Sequence, residues 1–169
     1  MNNLQFLSEF ETDGNVATLD MLNIFGKGYT NYYIFLDMID AGGNGGYMGL
    51  RFYDNSGTLI DGNEYQYGGE QLKAYGTYDN TFFGSNDTQI APIIAGMNDD
   101  DRGGGALIKI FNADVAQFTF VTCQSATYMD SGLDGTRLSA CHKTAEIVSG
   151  VRIVNHTSKT LKAKIYGVK

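Results

Sequence analysis

Hydrophobic and polar residues alternate along much of the chain, and this two-residue period is typical of strands that bury one face. The clearest case is the sequence LKAKIY at 161–166, where small and branched apolar residues alternate with two lysines and a tyrosine. Residues 151–154 precede it as a partner strand, with the polar stretch 155–158 as the turn. The pattern predicts a C-terminal hairpin with three side chains facing inward: Leu161, Ala163 and Ile165.

Other segments predict further strands. Residues 118–123 alternate aromatics with threonine, and residues 106–111 are apolar on most of both faces, so both are predicted to be central strands. Residues 32–39 and 47–53 are predicted to be two strands joined by the glycine cluster at 42–46. An opening hairpin of the same kind is predicted from two further segments, 4–11 and 16–22.

The segment from residue 76 to residue 105 differs, because polar and glycine-rich stretches interrupt it and it holds the only proline, Pro92. We predict a long excursion from the sheets there. Turn signals are evenly spaced, and no shift in composition marks a linker, so residues 1–169 are predicted to form a single domain. The predicted fold is all-β, an antiparallel β-sandwich of the jelly-roll type with about eight strands.

Composition agrees with a single β domain. The chain has 169 residues, and 43% of them are hydrophobic, which is enough for one domain to bury about two-thirds of its unfolded surface. Its aromatic residues are 11 Tyr and 10 Phe without Trp, and it has 22 Gly against 1 Pro. This mixture of β-preferring aromatics and turn-forming glycine favours short strands over helices.

The charge of the chain is unevenly distributed. The formal net charge is -7, which argues against broad binding to nucleic acid. Seven of the 12 basic residues nevertheless follow residue 136, where Glu146 is the only acid: Arg137, Lys143, Arg152, Lys159, Lys162, Lys164 and Lys169. Two interpretations remain open, because the basic residues either meet an acidic surface across an interface or pair with acids on neighbouring strands of the same fold.

Compartment and cysteine chemistry follow from a few residues. Residues 1–6 lack the basic start and apolar core of a secretion signal, and no apolar run is long enough to span a bilayer. We therefore expect a soluble product that is neither exported nor inserted into a membrane. Cys123 and Cys141 are expected to be reduced thiols that hold no metal, although the turn-rich segment between them leaves a hairpin disulfide open.

Residues that could support catalysis or hold an ion are sparse. Cys141 and His142 are adjacent in a predicted strand, so their side chains point to opposite faces and form a poor dyad; we expect a solvated histidine beside a buried cysteine. The cysteines offer only isolated zinc ligands. The acids Asp99, Asp100 and Asp101 are contiguous and lack the alternate spacing of a calcium loop. No catalytic residue, cofactor or metal is predicted.

One aromatic cluster has a binding interpretation. Tyr75, Tyr78, Phe82 and Phe83 lie among short polar residues, the mixture of flat apolar rings and small polar groups that recognises sugars. The alternative is that these rings cap one end of the core or meet a second subunit.

Five short motifs lie along the predicted strands: LNI, YTNYYI, GLRFYD, SGVRI and KIYGV, at residues 22–24, 29–34, 49–54, 149–153 and 164–168. They resemble a family of small phage proteins found in phages of aquatic bacteria. That family is marked by an aromatic strand after a turn, a short strand like Leu-Arg-Phe-Asn and a terminal Leu-Tyr-Gly-Ile. The resemblance implies a jelly-roll-like virion protein of the tail fibre or head, without enzymatic activity, and it does not extend to residues 76–105.

These observations predict a non-enzymatic structural protein of a bacteriophage particle. It would be made in the host bacterial cytoplasm and dock in several copies on the capsid or the tail, with other virion proteins and copies of itself as partners. The predicted assembly surface places Arg152, Lys162 and Lys164 against the acids at 99–101 of a neighbouring copy or against an acidic patch of the particle. The alternatives are an adhesin module that binds a host glycan through the aromatic cluster and, third, a glycan-degrading enzyme with two nearby carboxylates.

Overall fold

The computed structural model describes residues 4–12, 16–39, 46–76, 80–95, 103–129, 132–155 and 160–169. Twelve strands are found in these ranges, and none of the described residues is helical. No described segment could therefore cross a membrane as a helix. The strands are β1 (Leu4–Glu11), β2 (Thr18–Met21), β3 (Asn31–Met38), β4 (Met48–Asp54), β5 (Tyr65–Lys73), β6 (Asn80–Asp87), β7 (Ile90–Ile94), β8 (Gly104–Phe111), β9 (Gln117–Met129), β10 (Gly132–Glu146), β11 (Val148–Asn155) and β12 (Leu161–Val168).

The strands form two antiparallel sheets that pack as a sandwich. The larger sheet has the order β1-β12-β3-β8-β9-β10-β5-β6, and the smaller has the order β2-β11-β4-β7. Eight strands form four nested antiparallel pairs, β1 with β12, β2 with β11, β3 with β8 and β4 with β7. Successive pairs fall in alternate sheets, which is the topology of a jelly roll. The predicted fold class is confirmed.

Two inserted hairpins account for the four additional strands. β9 and β10 lie between β8 and β11 in the chain, and β5 and β6 lie between β4 and β7. Both hairpins join the larger sheet beyond β8, where β9 pairs with β8 and β10 pairs with β5. The larger sheet is therefore twice as wide as the smaller one, and much of its outer surface lies beyond the eight-stranded core.

The core lies between the two sheets. The inward residues of β12, Leu161, Ala163 and Ile165, are fully buried, as the alternation predicts. The same core cluster includes fully buried residues of the smaller sheet, such as Leu50 and Phe52. The alternation of Leu, Ala and Ile with polar residues therefore identified both the strand and its buried face.

The predicted hairpins at the two ends of the chain are wrong. β11 pairs with β2 and β4 in the smaller sheet, whereas β12 pairs with β1 and β3 in the larger sheet. The opening strands β1 and β2 are likewise in different sheets, as are β3 and β4. The physical reason is that alternation identifies a buried face without identifying the neighbouring strand, and in a jelly roll consecutive core strands cross between the sheets.

The segment predicted as an excursion, 76–105, contains β6 and β7 and the first residues of β8. Pro92 lies within β7, at the edge of the smaller sheet. An edge strand tolerates proline because one side of it needs no ladder hydrogen bonds. The glycines and the proline therefore did not exclude strands here.

Candidate functional site

Two glutamates and a histidine converge where β5 begins and β10 ends. Glu64 precedes β5 directly, and Tyr65, the first residue of β5, lies opposite His142 of β10. The Lys143 N–H donates to the carbonyl of Glu64 over 2.8 Å, which fixes the backbone at this point. Glu146, the last residue of β10, follows a register irregularity between residues 142 and 146, and its carboxylate reaches His142. We call these three residues the Glu64–His142–Glu146 cluster.

The ligand atoms of the cluster are close together. His142 Nε2 is 2.8 Å from Glu64 Oε2 and 3.5 Å from Glu146 Oε1, and one side-chain atom from each of the three residues lies within 4.8 Å of the others. The imidazole is fully buried, whereas the Glu64 and Glu146 side chains are 40% and 33% exposed. The Thr144 hydroxyl donates to Glu64 Oε2 over 3.1 Å. A rigid nitrogen thus faces two carboxylates that solvent can reach.

The carboxylates of the cluster border an acidic depression of about 350 Å³. Burial raises the pKa of Glu146; Glu64 and Asp54 raise it further, and His142 opposes them. Asp54 already has hydrogen-bond partners: its Oδ1 accepts from the backbone N–H groups of Ser56 and Thr58, and these bonds lower its pKa. The residues lining the depression are Asp54, Leu59, Ile60, Asp61, Gly62, Glu64 and Glu146.

Packing fixes the position of the imidazole. The ring of Tyr65 lies 5.4 Å from the ring of His142, and that of Phe52 lies at 6.2 Å, between centroids. His142 Nδ1 has no hydrogen-bond partner among the described residues, and neither has the buried Thr119 Oγ1. Thr119 is the direct cross-strand neighbour of His142 on β9. Two unpartnered polar atoms therefore belong to adjacent buried side chains.

The expected environments of Cys141 and His142 are wrong. The structure places them on opposite faces of β10, as predicted, but His142 is fully buried and Cys141 is half-buried on the outer side. Strand alternation shows that two neighbours point to opposite sides, and it does not show which side is the core. The cluster was missed because Glu64 is 78 residues from His142 in the chain.

The two cysteines cannot pair in this fold. Cys123 on β9 lies opposite Leu138, and Cys141 on β10 lies opposite Phe120, so they are three positions out of register. At ~3.3 Å per residue this offset is about 10 Å, beyond the Cα separation of a disulfide. Cys123 is also buried, whereas Cys141 faces outward. Both are free thiols.

The predicted sugar-binding aromatics do not share one described surface. Phe82 packs against the core beside Tyr67, with 6.3 Å between ring centroids, whereas its neighbour Phe83 is 84% exposed. The Tyr75 hydroxyl donates to Asp134 Oδ2 over 3.3 Å. Tyr78 lies outside the described residues.

The basic residues of the predicted assembly surface divide between the two sheets. Lys162 contacts Glu9 over 2.6 Å and Glu11 over 3.6 Å, both on β1. Arg152 pairs with Asp20 on β2 of the smaller sheet, with Nη2 2.9 Å from Oδ2. Arg152 therefore does not lie beside Lys162 and Lys164, because the hairpin that would have joined them does not form. Asp99, Asp100 and Asp101 lie outside the described residues.

The surface of the larger sheet that points away from the core exposes many apolar side chains. We call this surface the outer face. On β12, the ring of Tyr166 lies between two phenylalanines of the neighbouring strands. Its centroid is 5.6 Å from that of Phe6 on β1 and 5.5 Å from that of Phe35 on β3. Phe111 and Phe120 are cross-strand neighbours further along the sheet, on β8 and β9. The large exposed apolar residues of this face are Leu4, Phe6, Phe35, Leu72, Phe83, Phe118, Phe120, Tyr128 and Leu133.

Comparison with known proteins adds no family. None of the known protein-family models matches the chain, and none of the curated proteins has significant sequence similarity to it.

Proposed function

We propose that this protein is a non-enzymatic structural component of a bacteriophage particle. In this proposal several copies dock on the capsid or on the tail, and the outer face forms the contact with neighbouring virion proteins. The observation that carries the proposal is a set of large exposed apolar side chains on β1, β3 and β9 of that face. We call this set the apolar strip; its members are Leu4, Phe6, Phe35, Phe118, Phe120 and Tyr128.

The size of the strip supports a docking role. Its exposed rings include Phe6 at 52%, Phe35 at 40% and Phe120 at 45% exposure. Since an aromatic side chain covers ~150–250 Å², the six side chains of the strip, each about half exposed, leave on the order of 500 Å² accessible. That is near the upper end for the largest apolar patch on a monomer. With a polar rim it approaches the ~800 Å² that each partner buries in a standard interface.

The polar groups around the strip suit a protein partner. Lys109 lies 5.6 Å from the centre of the Tyr33 ring, and the side chain of Arg137 is 67% exposed and contacts Glu70 over 3.7 Å. An apolar centre with arginine and tyrosine nearby is the usual composition of a protein interface.

Topology and resemblance support the viral assignment. Jelly rolls of eight strands build viral capsid domains, and also lectins and cupins, so the fold by itself does not choose among them. The phage-family motifs at residues 49–54 and 164–168 favour the virion.

The experiment compares particle incorporation of two matched variants. Phe120→Asp places a charge on β9 within the strip, and Val115→Asp places one at an equally exposed apolar residue in the loop before β9, since both positions are 45% exposed. We expect Phe120→Asp to reduce the copy number in purified particles at least tenfold, while Val115→Asp is incorporated like the wild type. Both purified variants should unfold cooperatively near the wild-type temperature.

Two results would contradict the proposal. The first is that mass spectrometry finds none of this polypeptide in purified particles. The second is that Phe120→Asp is incorporated as well as Val115→Asp, which would remove the outer face from assembly.

A further inference from the structure

We propose that the Glu64–His142–Glu146 cluster binds one divalent transition-metal ion, with Zn²⁺ as the best-matched probe. The ligands would be Nε2 of His142 and one carboxylate oxygen from each glutamate, and water would complete the coordination. This inference is independent of the proposed role in a phage particle.

The first argument is a count of protons at one nitrogen. Nε2 carries at most one hydrogen, yet Glu64 Oε2 at 2.8 Å and Glu146 Oε1 at 3.5 Å both face it. A neutral imidazole therefore satisfies at most one of these oxygens, and the two carboxylates repel each other. A divalent cation among the three atoms would satisfy all of them, because each offers a lone pair.

The second argument is geometric. Ligand atoms ~2.0–2.2 Å from a tetrahedral Zn²⁺ lie roughly 3.3–3.5 Å apart, and the three ligand atoms already lie within 4.8 Å of one another. The imidazole is held between strands and is fully buried, whereas the two glutamates are partly exposed and free to adjust by rotation. One nitrogen and two carboxylate oxygens suit Zn²⁺ and similar ions better than the all-oxygen shells of Ca²⁺ and Mg²⁺.

The third argument comes from the far side of the imidazole. A metal on Nε2 requires the hydrogen on Nδ1, and metal-bound histidines almost always donate that hydrogen to a neighbouring acceptor. The cross-strand neighbour Thr119 has a buried hydroxyl without a described partner, like Nδ1 itself. Cross-strand Cβ atoms lie about 4.5–5.5 Å apart, so rotation of the threonine side chain would bring its oxygen to Nδ1–H.

The surroundings favour entry of a cation. The depression beside the cluster opens to solvent and includes Asp61 in addition to the two glutamates. A concentration of carboxylates on one cavity raises the local cation concentration and the rate of association. The open side leaves room for water ligands.

The experiment titrates protein freed of metal with ZnCl₂ by calorimetry, and with CoCl₂ by visible absorption, which reports coordination directly. We expect one ion per chain and, at a free Zn²⁺ concentration about 100 times Kd, a rise in Tm of roughly 5–10 °C. Mg²⁺ and Ca²⁺ at millimolar concentration should not displace the ion.

Variants locate the site. Glu64→Gln with Glu146→Gln should weaken Zn²⁺ binding at least 100-fold, and Thr119→Val should weaken it about 10-fold. Glu70→Gln is the matched control, because Glu70 lies on the outer face away from the cluster, and it should bind like the wild type. Cys123→Ser with Cys141→Ser should also bind like the wild type, since neither thiol is a ligand. Cooperative unfolding of each variant shows that it is folded.

Several outcomes would overturn the proposal. One is the absence of saturable binding with one ion per chain. Another is undiminished binding by a folded Glu64→Gln, Glu146→Gln double variant. A third is loss of binding in the double serine variant, which would place the ion at the cysteines.

Discussion

The hydroxyl of Tyr65 accepts one backbone hydrogen bond at the edge of β4, where residues 58–60 pair with the part of this strand beyond β7. β4 pairs with β7 at Met48 and Leu50. Phe52 lies further along β4, past the end of this pairing. The Phe52 N–H instead donates to the Tyr65 hydroxyl over 2.9 Å, and the hydroxyl donates to the Ile60 carbonyl over 3.0 Å. Tyr65 belongs to the larger sheet and is fully buried, so this one oxygen links the two sheets inside the core.

We predict that Tyr65→Phe destabilises the protein by about 1–3 kcal/mol. The ring and its packing are kept, so no cavity term applies, and the cost is that of leaving the buried Phe52 N–H without an acceptor. The loss of the donor to Ile60 adds to it. For a chain of 169 residues, 1 kcal/mol corresponds to about 2–4 °C, so Tm should fall by roughly 2–12 °C.

The assay is thermal and urea unfolding, with Tyr33→Phe as the control. Tyr33 lies half-buried on the outer face, so removal of its hydroxyl should change the free energy of unfolding by less than about 0.5 kcal/mol. Amide hydrogen exchange should show reduced protection at Phe52 in Tyr65→Phe alone. The reasoning is refuted if the two variants unfold at the same temperature, or if protection at Phe52 is unchanged.

Two further predictions concern side chains elsewhere. Under native conditions a thiol reagent should label Cys141 much faster than Cys123, since Cys123 is buried and burial raises its pKa to about 12. Equal labelling rates would contradict this packing. The second prediction concerns the variant Asp20→Asn. In the wild type, the hydrogen bond from Arg152 lowers the pKa of Asp20 below its ordinary 3.8. The wild-type carboxylate therefore stabilises the fold above pH ~4 and loses this effect as the pH falls further. The stability difference between wild type and variant should be largest near pH 7 and shrink on acidification, and a constant difference in urea unfolding would show that the pair does not matter.

Alternation predicted strands and faces better than it predicted neighbours. The stretch 161–166 shows this, because its three apolar residues are all fully buried, yet its predicted partner at 151–154 lies in the other sheet. Its actual neighbours, β1 and β3, come from the first quarter of the chain. Hydrophobic pattern records only burial, whereas strand order depends on loop paths and on the packing of the whole sandwich.

The candidate metal site was less predictable for the same reason. His142 and Glu146 both lie on β10, and their short separation was visible in the sequence, but the third member, Glu64, comes from another hairpin. Neither glutamate is distinctive in its local sequence. Only the pairing of β10 with β5 brings both glutamates to Nε2 of His142. Short spacing between ligands in the sequence therefore pointed to the two cysteines and the contiguous acids instead.

The two inserted hairpins contribute residues to both surfaces to which we assign a role. Outward residues of β9, including Phe120, extend the apolar strip beyond the jelly-roll core, and inward residues at the end of β10, including His142, form the metal site with the start of β5. These hairpins also belong to the core, because Tyr65 and Leu138 are buried in it and β7 of the smaller sheet packs against β9 and β10. The apolar strip and the metal site lie on opposite faces of the same sheet, so docking and ion binding can be altered by separate residues.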